Sequence, residues 1–186
     1  MKPFKAFDIQ FVGLKLGTHQ YEYTIEQTFF ELFEYDEYNN VSVKVKLELE
    51  KKTTLLELKF LAEGAVNVHC DLTNEPYDQS INSEFGMVVK FGPEYNDDNE
   101  AILIIPHGAY EINVAQYIYE LIVLAVPQKR IHPGVKDGSL DSDILKTLEN
   151  LGPKSARKTN SNKDIDPRWD SLKKLLTDKQ LKNGTS

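Results

Sequence analysis

The chain has one cysteine, Cys70, among its 186 residues, so an internal disulfide framework is excluded. No apolar run approaches the roughly 20 residues that a helical membrane span requires. The opening Met1-Lys2-Pro3-Phe4 leads directly into charged, alternating sequence, and no signal peptide is expected. Familiar catalytic signatures are missing as well. There is no glycine-rich phosphate loop, no nucleophile elbow and no helical pair of metal-binding histidines. Basic charge is scarce: the net charge of −7 argues against simple coating of nucleic acid, because phosphate binding relies on Lys and Arg. The length suits one domain of ordinary size plus a tail, the composition is that of a soluble globular protein, and together with the single cysteine and the absence of an expected signal peptide this points to the cytoplasm.

What charge there is lies unevenly. Residues 1–127 hold 9 basic and 21 acidic side chains, whereas residues 152–186 hold 9 basic and only 4 acidic ones. An acidic body with a basic tail is the first informative feature. The tail reads either as a solvated lysine-rich linker or as a contact segment.

Apolar periodicity gives the elements. Phe7, Ile9 and Phe11 alternate as a first strand, Gly17 marks a turn, and Tyr21 and Tyr23 suggest a short second strand. Thr24 and Gln27 are spaced as a capping box for a helix of two to three turns carrying Ile25, Phe29, Leu32 and Phe33. The centre is strand-rich. Val41, Val43, Val45, Leu47 and Leu49 alternate with polar residues, as expected of an antiparallel strand with one wet face. Leu56, Leu58, Phe60 and Ala62 repeat the pattern up to a turn at Gly64. Val66, Val68, Cys70 and Leu72 follow on one apolar face, and Tyr77–Phe91 alternates again through Phe85, Met87 and Val89. Gly92–Glu100 reads as an acidic loop and Ala101–Ile105 as a compact strand ended by Pro106. Asn113 is placed to cap a helix bearing Val114, Tyr117, Ile118, Leu121, Leu124 and Ala125, which Pro127 stops.

These elements predict an α+β fold: a mainly antiparallel sheet or partly closed barrel with two or three packed helices and a C-terminal tail helix. The expected organisation is a body over residues 1–152, a flexible basic linker over 153–164, and an amphipathic helix with a disordered end over 165–186. A short helix at Asp143–Leu151 closes the body at Gly152-Pro153, and Lys154–Lys163 lacks large apolar residues. Asp166 caps the tail helix with Pro167 at its first position, and Trp169, Leu172 and Leu176 lie near one stripe.

Isolated chemical groups do not assemble into a reaction centre. His19 and His107 sit beside glycines at turns, and His132 precedes Pro133 after a helix. His69 and Cys70 are adjacent, but neighbouring strand residues face opposite ways. Cys70 therefore reads as a buried structural thiol whose burial raises its pKa and blunts its reactivity. The acidic pairs, such as Asp97-Asp98, read as solvated surface rather than as a two-carboxylate hydrolase. No catalytic residue, metal or cofactor is expected, and an enzyme is the weakest reading.

Four segments, in order, resemble the YceD family. The first is Phe7–Phe30, with Gly17-Thr18-His19 and Thr28-Phe29-Phe30. The second is Cys70-Asp71-Leu72-Thr73-Asn74-Glu75-Pro76, where many members carry C-x-x-C-L-E-P. Cys70, Glu75 and Pro76 match that motif, and Thr73 stands where the second cysteine would be. The third runs from Glu111-Ile112-Asn113-Val114 to Leu124-Ala125-Val126-Pro127 and His132, with Asn113 in place of the usual Asp. The fourth, Asp166-Pro167-Arg168-Trp169 with Leu172, is similar to the D-P-R-W-x-x-L tail of Bacteroidetes-type, cysteine-poor members.

The resemblance implies a non-enzymatic factor supporting large-subunit ribosomal RNA accumulation, in ribosome assembly or precursor processing. Precursor RNA, a ribosomal protein, or both are the expected partners, with no membrane and no small-molecule substrate. Arg168, Trp169, Leu172, Lys173 and Lys174 are the candidate binding residues. The competing reading is a protein–protein adaptor whose Trp169 helix docks on a partner without touching nucleic acid. In a further reading the tail helix folds back over apolar surface of its own body.

Overall fold

The computed structural model describes residues 4–140 and 143–151. The chain divides into two units, residues 1–145 and 146–186, and of the second only the end of a helix falls within the described residues. After a 3-10 turn at Lys5–Phe7 come β1 (Asp8–Ile9), β2 (Gly17–Glu26), α1 (Gln27–Glu31), β3 (Asn40–Lys51), β4 (Leu55–His69) and β5 (Pro76–Gly92). They are followed by β6 (Asn96–Asn99), β7 (Ile102–Pro106), β8 (Ile112–Asn113), α2 (Ala115–Ala125), α3 (Pro133–Lys136) and α4 (Asp143–Leu151). The expected α+β class holds. A six-stranded open sheet has the order β2-β3-β4-β5-β7-β6, and β1 and β8 form a separate antiparallel pair. Only β5 and β7 run parallel within the large sheet.

The alternation seen in the sequence is the alternation of burial. Val41, Val43, Val45, Leu47 and Leu49 of β3 are buried, and the residues between them are exposed or half-exposed. Leu56, Leu58, Phe60 and Ala62 of β4 continue the same face across the sheet, paired in register with β3 and β5. Phe29 and Phe30 of α1, with Ile118, Leu121 and Ile122 of α2, belong to the same core as this face. Burying a side chain the size of Phe60 contributes on the order of 2–3 kcal/mol, so this face supplies much of the drive to fold.

Several local expectations fail for identifiable reasons. Gly64 is not a turn; it lies inside the unbroken 15-residue β4, opposite Val43. A Cβ there would overlap the Ser42 carbonyl oxygen and lie 2.7 Å from the Val43 Cα, so glycine is needed for close strand approach. The second strand is not short. All ten residues of β2 pair with β3, which holds Thr24 and Ile25 in the strand and reduces the helix to the five residues of α1. Cross-strand pairing has overridden the capping pattern, and no side chain caps α1.

The first strand shrinks to Asp8–Ile9 because the carbonyls beyond it find another partner. Lys51 Nζ donates to the carbonyl oxygens of Phe11, Val12 and Leu14 at 2.8, 3.2 and 2.9 Å. Part of the acidic loop forms β6, a short exposed edge strand. Leu72 is 41% exposed and Leu124 is 82% exposed, so neither joins the apolar face assigned to it by spacing.

Candidate functional site

The turn between β4 and β5 carries the Cys70–Pro76 segment. The Cys70 amide donates to the Glu75 carbonyl at 2.9 Å, and the Asn74 amide donates to the Cys70 carbonyl at 2.8 Å. Asn74 adopts φ 58°, a left-handed conformation that Asn tolerates better than most residues, and this closes the turn. Thr73 is buried at 3% exposure, the only polar residue so enclosed among the described residues.

Inside this turn Cys70 is 2% exposed while His69 is exposed, so the two neighbours face apart as the strand pattern requires. The thiol's acidity departs from expectation. Burial pushes the Cys70 pKa up, but hydrogen bonds from the His132 amide, the Thr73 hydroxyl and the Leu72 and Thr73 amides outweigh it, and the net shift is downward. The His132 amide donates to the Cys70 Sγ at 3.3 Å. Thr73, at the position of the second cysteine in the C-x-x-C-L-E-P pattern this segment resembles, is thus a hydrogen-bond partner of Cys70.

His132 is no casual turn residue. Its ring stands edge-on to Tyr77 with centroids 5.4 Å apart, and its Nδ1 accepts the Gly134 amide at 2.9 Å, capping α3. Two residues earlier, Arg130 is joined to the turn through its main chain. The Asp71 amide donates to the Arg130 carbonyl at 2.8 Å, and the Arg130 amide donates to Asp71 Oδ2 at 2.7 Å. The Arg130 guanidinium also lies 3.6 Å from Asp71 and 3.4 Å from Glu37. Tyr35, Tyr38, Val126, Pro127 and Arg130 line a small adjoining hollow of about 210 Å³.

The start of α2 shows a second junction. Asn113 does not take the expected N-cap position: it ends β8, the N-cap of α2 is Val114 without a side-chain bond, and from one residue further back Asn113 Oδ1 accepts the Ala115 amide at 3.0 Å. Its Nδ2 donates to the Phe4 carbonyl at 2.9 Å and to Asp8 Oδ1 at 2.5 Å. An aspartate could accept the same amide but could not donate to Asp8, so Asn is the residue that joins α2 to β1.

Two segments far apart in the sequence therefore meet in space: the Cys70–Pro76 turn is bolted to the stretch that follows α2. A family model described as "Large ribosomal RNA subunit accumulation protein YceD" matches residues 58–176, from within β4 through the Trp169 segment. The chain belongs to the YceD family. Membership connects it with accumulation of the large-subunit ribosomal RNA, as the resemblance implied. No curated protein and no solved structure matches the chain.

Within this YceD member the site divides in two. Cys70, Glu75 and Pro76 form the structural turn just described. Arg168, Trp169, Leu172, Lys173 and Lys174, with the Lys154–Lys163 segment and the helix expected from Asp166, lie outside the described residues. The roles of Asp71 and Arg130, and the bond of Asn113 to Asp8, escaped sequence reasoning, because these bonds join segments far apart in the chain. Among the described residues no three His, Cys, Asp or Glu side chains gather into a group that could hold a metal ion, and no helix is long and apolar enough to cross a membrane.

Proposed function

We propose that this YceD protein is a non-enzymatic cytoplasmic binding factor that promotes large-subunit ribosomal RNA accumulation by engaging precursor RNA, a ribosomal protein, or both. The division of charge carries the reading. The acidic body is ill suited to phosphate, whereas residues 152–186 concentrate 9 basic side chains beside Trp169. A tail of this kind contacts RNA through lysine and arginine, while the carboxylates of the body attract a basic protein and speed its encounter.

The test is pull-down of large-subunit precursors by full-length variants across a salt series. Replacing Lys173 and Lys174 with glutamine is expected to weaken capture and flatten its salt dependence, because fewer counterions are released. If Trp169→Ala instead removes capture while the lysine replacement does not, the tail reads a protein surface, as the adaptor reading requires.

A further inference from the structure

Beside α2 the described body leaves an apolar groove of about 690 Å³ with an acidic rim. Phe85 and Met87 of β5, Leu103 of β7 and Tyr117, Leu121 and Leu124 of α2 give it its apolar lining. Asp97, Glu100 and Glu120 supply carboxylates, while Glu84 lies on the outer face of β5, 4.0 Å from Lys59, and no Lys or Arg lines the groove. Leu124 is 82% exposed and Tyr95, also on the lining, is 57% exposed. Large apolar side chains held in water beside a concave surface mark a place where another apolar group can settle.

The carboxylates are held at this site by the fold. Asp97 accepts the Tyr95 hydroxyl at 3.1 Å, and Glu120 accepts the Gln116 amide at 2.7 Å. Each carboxylate offers about four acceptor positions, so these bonds leave capacity for a cation's donors. Their field reaches the groove: the Tyr117 pKa is pushed up to about 12, first by burial and then by Tyr95, Asp97 and Glu120.

We propose that this groove docks a basic polypeptide segment, seating one large apolar side chain on Phe85, Met87 and Leu103 while flanking Lys or Arg residues meet Asp97, Glu100 and Glu120. The inference deepens the protein-binding arm of the proposed function and rests on it, since proteins bound for RNA carry such segments. Charge selects among occupants. RNA would bring phosphates against three carboxylates, and a second copy would bring another acidic body to the same rim. A polypeptide rich in Lys and Arg satisfies both the rim and the lining.

The test uses the full chain and a labelled peptide in which Lys and Arg flank one phenylalanine, followed by fluorescence anisotropy. Leu124→Asp and Glu120→Lys act on exposed positions, and melting curves verify that both variants remain folded. Each is expected to weaken binding about tenfold, the equivalent of roughly 1.4 kcal/mol. Replacing the peptide's phenylalanine with serine is expected to do the same. Glu63→Lys makes an equal charge change on the opposite face of β4 and should leave affinity nearly unchanged.

Equal weakening by Glu63→Lys would overturn the inference, because attraction would then be spread over the whole acidic body. Tighter groove-dependent binding of an RNA oligonucleotide or of a synthetic copy of residues 165–186 would also overturn it. So would self-association of the chain that Leu124→Asp abolishes. Peptide binding that survives both groove substitutions sinks the docking inference even when the chain captures ribosomal precursors. A chain that binds the peptide through the groove yet captures no precursor supports docking and sinks the proposed function instead.

Discussion

Asp71 and Arg130 are bound to each other by two hydrogen bonds: the Asp71 amide donates to the Arg130 carbonyl at 2.8 Å, and the Arg130 amide donates to the Asp71 carboxylate at 2.7 Å. This pair joins the turn before β5 to the segment that leaves α2. Asp71→Ala removes the carboxylate acceptor and is expected to cost about 1–2 kcal/mol, the range for a partly exposed charge-assisted hydrogen bond. Arg130→Ala keeps both main-chain groups and loses only surface ion pairs, so it should cost about 0.5 kcal/mol or less. Urea unfolding of the two variants checks the order, and a larger loss from Arg130→Ala would show that the guanidinium holds the junction.

Gly64 and Gly86 give a sharper contrast. A side chain at Gly64 meets the Ser42 carbonyl and Val43, whereas a Cβ at Gly86 comes no nearer than 3.9 Å to the Leu58 carbonyl oxygen. Gly64→Ala is therefore expected to destabilise the protein by on the order of 3 kcal/mol, with Gly86→Ala within about 0.5 kcal/mol of wild type. Thermal or urea melts of both variants decide it.

Cys70 offers a test of pH dependence. Its pKa in the folded protein lies below the ordinary thiol value, because N–H and O–H donors outweigh burial. The stability it contributes as thiolate is present above the unfolded pKa and is lost as pH falls through the folded one. The stability gap between wild type and Cys70→Ala should therefore widen as pH rises toward about 9, from a starting cost on the order of 1 kcal/mol near neutrality. A gap that narrows with rising pH would mean that burial dominates, and stoichiometric zinc in the purified protein would displace the structural reading of this thiol.

The sequence disclosed the sheet more clearly than the junctions. Val41–Leu49 and Leu56–Ala62 declare their strands because one buried face imposes a period of two. The Gly64 turn and the capping box at Thr24 misled, since local propensity says nothing of the neighbouring strand that claims those residues. Cys70 was legible as buried, but its lowered pKa was not, because the His132 amide arrives from 62 residues away. Asn113 was read as a helix cap one residue too early, and its bond to Asp8, which spans 105 residues, left no local trace. The groove beside α2 left a faint trace in the sequence, since Leu124 sits on an apolar helix and Asp97 and Glu100 lie in an acidic stretch, but their meeting is a product of the fold.

The proposed function turns on whether this YceD protein associates with large-subunit precursors through its basic tail. Its most direct test is co-sedimentation on ribosome gradients at two salt concentrations, comparing the full chain with one ending at Gly152 and recording both melting temperatures. The account predicts that the full chain travels with large-subunit precursors at low salt and is released at high salt, while the shortened chain stays at the top with its melting temperature preserved. Co-sedimentation of the shortened chain equal to that of the full chain would contradict it.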